Sequence, residues 1–419
     1  MEKTFSIQDK GCYDVIVVGS GPAGIGAAIS AGRQGVKTLI IESLGKLGGI
    51  ATSGMMSHFT GSVGSKLYWE VLKRAGENNQ FDKSLTHVID PEFLTLTYIE
   101  MLEEANVDIL LYTTVVDVIK DGNKVTGVVC YNKGGFFSYQ AKIVIDASGD
   151  GDVAYKSGAE YFIGRETDGA MQPTTLMFKI AGVDMKRAVF PGAFEALVDT
   201  PKGELQSLGK KILPHPAGHV LLYESTIPGI VTCNMTNVIG INGTKAEDLT
   251  RAEIECRKQI PEIIKFLREY APGYENCYLI STASLIGVRE TRHFKGVKTI
   301  NEQDILNATQ FEDYVVFDAK FEFDVHNITG SGLDETGCQK HFKQKNGYTI
   351  PYGCLVPEKI DGLLLSGRNI SGTHMAHSSF RSMPICLALG EAGGIASAIA
   401  VKKGIEPREV DYKEIQKYL

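Results

Sequence analysis

Side chains able to move protons or hold an anion gather in two short stretches of this chain. In GTHMAHSSFRSM, His374 and His377 lie three apart and Arg381 follows. Imidazole exchanges protons near neutral pH, which an alcohol oxidation or alkene reduction coupled to hydride transfer needs. Arg381 stands just before a long small-residue stretch that reads as a helix. A cation and a helix N-terminus together can stabilise negative charge on a bound ring system. In GVRETRHF, Arg289 and Arg292 flank Glu290. Two guanidiniums can clamp a carboxylate bidentately, and the same trio can equally be an ion-pair network tying domains together. Plainer readings also stand: a histidine capping a loop, an arginine satisfying loop carbonyls. The two histidines could ligate a metal, but their spacing positions no third ligand, so no metal site is assigned. No G-x-S-x-G elbow with triad partners accompanies the serines, which sets hydrolase chemistry aside.

Groups of this kind act on something that a scaffold must hold. DVIVVGSGPAGIGAAISAGRQGVKTLIIE, Asp14 to Glu42, is the clearest scaffold in the sequence. Four apolar residues, Val15 to Val18, run into a glycine cluster; a small-residue helix pattern follows, and a second apolar strand ends on Glu42. This is a β-α-β unit with a phosphate-binding turn. Gly19 permits the sharp exit from the strand, Gly21 lets a pyrophosphate reach the backbone, and Gly24 lets the helix pack close to the sheet. The free N–H groups and partial positive charge of the helix start favour phosphate. Glu42 can accept hydrogen bonds from ribose hydroxyls. The motif indicates a dinucleotide without separating FAD from NAD.

Bulk properties narrow the function class. With 419 residues, 43% of them hydrophobic, the chain can bury a large core, and its length suits two domains. A formal net charge of −7 argues against a nucleic-acid or anionic-membrane partner. MEKTFSIQDKGCY is polar and lacks the apolar core of a secretion signal, and no membrane span is read. The eight cysteines are scattered without C-x-x-C spacing, so reduced structural thiols in a cytoplasmic protein are expected. Electron transfer must then run through a bound cofactor.

Along the chain, SLGKLGGIATSGMMSHFTGSVG is a glycine- and serine-rich candidate binding loop. Helical patterns cover Ser65 to Glu77 and Pro91 to Ala105. A β-meander follows, with turns at Asp121-Gly122 and Gly134-Gly135, and a further apolar strand, Ile143 to Ile145, leads into DASGDGD. Between about Tyr155 and Tyr348, strand-like TTLMFKIAG, HVLLYEST and GIVTCNMT mix with the helical AEDLTRAEIECRKQIPEIIKFLREY, which Pro261 is expected to kink or split. DGLLLSGRN then gives a strand and glycine turn, and PICLALGEAGGIASAIAVKKG a helix whose Gly/Ala face suits close packing on the first domain. The expected class is α/β: a Rossmann-like nucleotide-binding domain with a β-meander, built from residues 1–155 and 349–419, and an inserted α+β substrate domain at 156–348.

The order of these features resembles the glutathione-reductase-type FAD fold, in the branch with p-hydroxybenzoate hydroxylase and fumarate reductase. GGIATSG, IGVRETR, YTIPYGCLVP and SGRNISGTHMAHSSFRSMPICLALGEAGGIASA are closer still to the bacterial FAD-dependent oxidoreductase family. The resemblance implies FAD as cofactor. It would place Gly19, Ser20, Gly21, Pro22, Ala23 and Gly24 around the pyrophosphate, and Glu42 with Ser43 at the ribose. Gly48, Gly49, Ala51 and Thr52 would lie beside the ribityl chain or flavin, and Val115 or Val116 at the adenine. Ala147, Ser148 and Gly149 would pass close to the cofactor, and Gly367 and Arg368 would make a second phosphate-side contact. Family members often carry an arginine where this chain has Gly353, so a relative's specificity does not transfer directly. Three separate glycine turns, near residues 19, 48 and 367, fit one extended ligand, and no second fingerprint for NAD(P)H is present. The expected activity is hydride transfer between flavin N5 and a small substrate, a carboxylate among the candidates, with His374, His377, Arg381 and Arg289 as candidate catalytic groups. Two alternatives are a flavin monooxygenase of the hydroxylase type and an electron-transfer subunit working with an iron–sulfur partner. A homo-oligomer is equally compatible.

Overall fold

Val15 to Val18 are almost completely buried at the centre of the molecule, as expected of a strand covered on both faces. The computed structural model describes residues 4–56, 58–76, 86–192, 195–334 and 344–419. Glu77 and Cys338 lie outside the described residues. Strand β1 (Ile7–Val18) leads into helix α1 (Pro22–Arg33), with Pro22 in the first turn, where a missing N–H costs nothing. Strand β2 (Thr38–Ile41) returns parallel to β1, pairing Val18 with Ile41. The loop beyond it carries the short strand β3 (His58–Thr60), which pairs with β4 (Thr86–Val88). Helix α2 (Lys66–Ala75) starts at Ser65, whose hydroxyl accepts from the Tyr68 N–H. Helix α3 (Pro91–Glu104) starts at Asp90, whose carboxylate caps two N–H groups.

With β1 and β2, strands β5 (Val107–Leu110), β6 (Thr114–Asp121), β7 (Lys124–Asn132) and β8 (Gly135–Asp146) make six strands of a seven-stranded sheet. Its order is β5-β2-β1-β8-β7-β6. Two expectations change here. Strand β1 begins at Ile7, within the polar N-terminal segment, because that segment pairs with Phe136 to Gln140 of β8. The last meander strand and the apolar Ile143 to Ile145 are one continuous strand. The first half of β8 pairs antiparallel with β7, and its last residues are buried in parallel pairing with β1.

Helix α4 (Asp152–Ser157) and strand β9 (Tyr161–Ile163) carry the chain to a second hydrophobic core. There, β10 (Phe178–Ala181) is central. The two-residue ribbon β11 (Asp199–Thr200) and β12 (Gly203–Glu204) precedes helix α5 (Leu205–Ile212), and β13 (Leu222–Glu224) and β14 (Val231–Cys233) follow. Helix α6 (Ala246–Tyr270) precedes β15 (Tyr278–Thr282), giving the sheet order β13-β14-β10-β15. Ile263 and Phe266 of α6 are buried in this core beside Phe178 and Val231. Pro261 does not split α6, which runs unbroken for 25 residues. Pro261 and Arg257 both lie on the exposed face, where water can take the carbonyl that loses its partner.

The expected substrate segment 156–348 is not uniform in its packing. Strand β16 (Arg292–Phe294) pairs with β9, helix α7 (Glu302–Leu306) follows, and β17 (Tyr314–Ala319) pairs with β18 (Tyr348–Pro351). Phe294, Ile300, Val315, Val316, Phe323 and Val325 belong to the first core, not the second. The chain then returns to the large sheet: β19 (Leu363–Leu365) pairs parallel with Val144 to Asp146 of β8. Helix α8 (His374–Phe380) and helix α9 (Met383–Lys403) follow, with α10 (Tyr412–Gln416) near the C-terminus.

The small face of α9 meets α1 as its composition predicts. A Cβ on Gly390 would sit 1.9 Å from the Ala23 carbonyl oxygen, and one on Gly394 2.2 Å from that of Ala27. Helix α9 is long and apolar enough to cross a membrane, yet 94% of that stretch is buried inside the protein, so its apolarity serves the core.

Candidate active site

The turn between β1 and α1 separates the jobs of its glycines. Gly19 has φ +93°, and a Cβ there would lie 2.5 Å from the Ala147 carbonyl oxygen; a Cβ on Gly24 would lie 1.8 Å from that of Gly19. These two allow backbone to meet backbone. A Cβ on Gly21 would meet nothing within 4 Å, so its surface is the open one, facing a cavity of about 1070 Å³. Gly19, Ser20, Gly21, Pro22 and Ala23 line this cavity, while Gly24 supports them from behind.

Glu42 also lines the cavity, but its carboxylate is already engaged. One oxygen accepts from the Ser20 N–H at 2.9 Å and the Ser20 hydroxyl at 2.6 Å; the other accepts from the Leu44 N–H at 2.9 Å and the Ser43 hydroxyl at 3.1 Å. Besides facing the ligand space, Glu42 therefore shapes the glycine turn, a role its position in the motif does not reveal. In the next loop only Gly49 reaches the cavity among the residues singled out from the sequence. Gly48, at φ +104°, donates its N–H to the Ser20 carbonyl; Ala51 is fully buried; Thr52 gives its hydroxyl to the Leu47 carbonyl. Those three fix the loop, and the neighbours that reach the cavity are Ile50, Met56 and His58.

Val115 lines the cavity and Val116 does not. Ala147, Ser148 and Gly149 form another part of the wall, in a turn pinned by fully buried Asp146. That carboxylate accepts from the Ser148 N–H and hydroxyl and the Ala154 N–H. Burial pushes its carboxyl up to about 6, and the hydrogen bonds oppose the shift. Gly367 and Arg368 close the same end. Arg368 donates to Asp150 at 2.6 Å, and its second terminal nitrogen, Nη1, is buried with no protein partner among the described residues. The open Gly21 surface, the start of α1 and this unpartnered guanidinium nitrogen make a cradle for a diphosphate. The residues present fit FAD.

At its other end the cavity is bounded by Arg289, Asp324, His326 and Arg381, with Met177, Leu221, Ile286 and Val288 as apolar wall. Arg381 sits between α8 and α9 as expected, but its guanidinium pairs with Asp324, at 2.9 Å from the carboxylate and 2.8 Å from the carbonyl. His326 Nε2 lies 3.2 Å from the other Asp324 oxygen. Burial alone would raise the Asp324 carboxyl, yet His326, which is charged in the acid range where that carboxyl titrates, and Arg381 hold it well below its usual range. Burial drives His326 down to about 4, so it is neutral at pH 7. Arg289 gives Nη1 to the Pro173 carbonyl at 2.6 Å; burial, then the neighbouring Arg381, pushes its guanidinium down to about 10. His58 packs against Tyr223 with the rings tilted and their centres 4.2 Å apart, and burial holds it at about 4.

The expected Arg289–Arg292 clamp is divided. Arg289 faces the cavity, whereas Arg292 donates to the Asp150 carbonyl and the Asp152 carboxylate and lies over the Tyr155 ring at 4.2 Å. Glu290 is paired instead with His293 and His374. His374 and His377, the favoured proton-transfer candidates, do not line the cavity. They are buried behind it with His293 and Glu290: His374 Nδ1 is 2.6 Å and His293 Nε2 2.9 Å from the same Glu290 oxygen, and the His293 and His377 rings are 4.7 Å apart. Burial alone would raise the Glu290 carboxyl, but its histidine hydrogen bonds keep it well below its usual range. Glu290 thus gathers His374 and His293, a grouping that the spacing of the sequence does not show.

Asp324, His326, His58 and Tyr223 were not singled out as catalytic candidates. Asp324 and His326 alternate along an extended segment, which puts both side chains on one side, but FDVHN carries no motif to mark them. The described cysteines are all unpaired. Cys386 touches the cavity, and burial pushes its thiol up to about 12, leaving it protonated.

The family model described as FAD dependent oxidoreductase matches residues 14–419. Among curated proteins, the chain is 27% identical over 235 residues to digeranylgeranylglycerophospholipid reductase 1 of Methanococcoides burtonii, covering 49% of this chain and 56% of that protein. It is 33% identical over 174 residues to a ferredoxin–NADP reductase of Leuconostoc citreum, covering 37% and 42%. The chain thus spans about half the length of these relatives. Among solved structures, a geranylgeranyl bacteriochlorophyll reductase-like protein of Thermoplasma acidophilum superposes with a TM-score of 0.54 at 16% identity, covering 97% of this chain and 82% of that one. That likeness is one of fold.

Proposed function

The chain belongs to the FAD-dependent oxidoreductase family, and on that premise we propose that it moves a hydride between flavin N5 and a small organic anion, by dehydrogenation or by double-bond reduction. The uneven charge at the far end of the cavity carries this reading: two guanidiniums, Arg289 and Arg381, face the carboxylate of Asp324. Arg381 is matched by Asp324, while the hydrogen bond of Arg289 goes to a neutral carbonyl. A substrate carboxylate would complete Arg289 through charge-assisted hydrogen bonds.

The remaining residues order the reaction around that anchor. Met177, Leu221, Ile286 and Val288 keep water from the substrate and so strengthen its attraction to the arginines. His326 and Asp324, paired through Nε2, are the groups placed to exchange the proton that accompanies the hydride, receiving it from the substrate in dehydrogenation and returning it in double-bond reduction. We place this activity in the cytoplasm, in keeping with unpaired cysteines.

Arg289→Met tests the anchor, with binding read from the flavin absorbance of the holoprotein. The affinity for a carboxylate substrate should fall about 10–100-fold, the value of a hydrogen bond to a charged group, while the neutral amide of the same compound binds as before. Equal losses for the acid and the amide would remove Arg289 from substrate binding.

A further inference from the structure

We propose that Glu290, His293 and His377 form a binding site for a transition-metal dication, with zinc the simplest occupant. The site lies behind the cavity wall and is separate from the flavin and substrate space. One ligand atom from each residue falls within 4.8 Å of the other two, and all three side chains are buried. Two imidazoles and a carboxylate are a donor set that zinc accepts.

Three further observations point to an ion. Nδ1 of His293 and Nδ1 of His377 are both buried without a hydrogen-bond partner among the described residues, and unpaired buried polar atoms of this kind call for an occupant. The Glu290 carboxylate is buried too, and its ion pairs are with His293 and His374; a dication would supply the charge that a buried carboxylate lacks. The carboxylate is also already aimed. His374 Nδ1 meets one oxygen at 2.6 Å and the Gln172 N–H meets the other at 3.2 Å, the outer-shell support that metal-ligating carboxylates carry. His293 is held flat against Phe162, with ring centres 4.8 Å apart. Zinc bonds of about 2.0–2.1 Å in a tetrahedral arrangement put donors about 3.3 Å apart, so loading would draw these side chains together by up to about 1.5 Å.

The metal would be a clamp, not a reactant. Glu290 adjoins Arg289, and His377 lies one helical turn before Arg381. Binding both ligands would tie helix α8 to the segment carrying β16 and fix the spacing of the two arginines that face the cavity. This site stands independently of the substrate assignment.

The test is the metal content of the FAD-loaded protein, produced with added zinc and passed through gel filtration, together with X-ray anomalous scattering at the zinc edge from zinc-soaked crystals. Stoichiometric retained zinc, an anomalous peak between Glu290, His293 and His377, and loss of the metal in Glu290→Gln and His377→Ala are expected. Should a variant fail to fold, the anomalous map of the unaltered protein decides alone. Absence of a peak at these residues, or zinc found only at other positions, overturns the proposal.

Discussion

Alanine at Gly390 and alanine at Gly393 should push the protein in opposite directions. Both residues are buried in α9, and in a helix interior the change by itself favours folding by about 1 kcal/mol, because glycine loses more backbone freedom. Their surroundings then decide. The Cβ of Gly393→Ala would find its nearest neighbour, the Ser366 hydroxyl, 4.0 Å away, so the gain of about 1 kcal/mol should be realised. The Cβ of Gly390→Ala would sit 1.9 Å from the Ala23 carbonyl oxygen and 2.8 Å from the Ala27 nitrogen. Both are backbone atoms that cannot rotate away, so α1 and α9 must part by more than 1 Å, roughly. Overpacking costs about 1–3 kcal/mol where side chains can adjust; with backbone on the other side the upper end applies, leaving a net loss of about 2 kcal/mol. Ala23 also lines the cavity at the start of α1, so this separation should disturb the phosphate cradle and lower flavin retention. Urea unfolding of the flavin-free proteins gives the first quantity, and flavin absorbance per chain after gel filtration gives the second. Gly390→Ala with native stability and full flavin content would refute the close-packing argument, as would equal destabilisation by the two variants.

Glu42→Ala should remove the acceptor for the Ser20 and Leu44 N–H groups as well as a carboxylate facing the ligand; a loss of FAD affinity of at least about 100-fold is expected from two lost charge-assisted bonds. Equilibrium dialysis would measure it, and unchanged retention would show that the turn holds itself. Acid should destabilise the fold below about pH 6.5. Burial keeps His58 and His326 at about 4 and His219 at about 3, so the unfolded chain binds protons first as the pH falls. Stability is therefore full above the unfolded value and is lost towards pH 4, at about 1.4 kcal/mol per pH unit for each histidine. A melting temperature constant between pH 7 and pH 5 would mean that these rings are hydrated or already charged.

What could be read from the sequence follows from how local the determining physics is. The β-α-β unit from Val15 to Glu42 was legible because strand burial, turn geometry and helix start are all dictated by near neighbours in the chain. The close contact of α9 with α1 was legible as well, since a Gly/Ala face has few other uses. Spacing failed where a side chain's direction depends on distant partners. Ala51 and Thr52 sit in the right loop, but Thr52 turns inward to the Leu47 carbonyl. His374 and His377 are in the most distinctive motif of the chain, yet Glu290, far away in sequence, draws His374 behind the wall. Arg292 left its expected clamp for Asp152, and Asp324 joined the site through its pairing with Arg381. Pro261 shows the converse: a strong local signal that does not split α6, because its helix face is open to water.

An anaerobic absorbance titration of the purified holoprotein tests the central claim most directly, using NADH and then a panel of hydroxy acids, saturated acids and enoates together with their amides. A yellow protein is expected, its oxidised flavin bleached, or its photoreduced flavin reoxidised, by one carboxylate and not by its amide. A colourless protein that cannot be reconstituted with FAD, or a flavin that reacts equally with acid and amide, would contradict it.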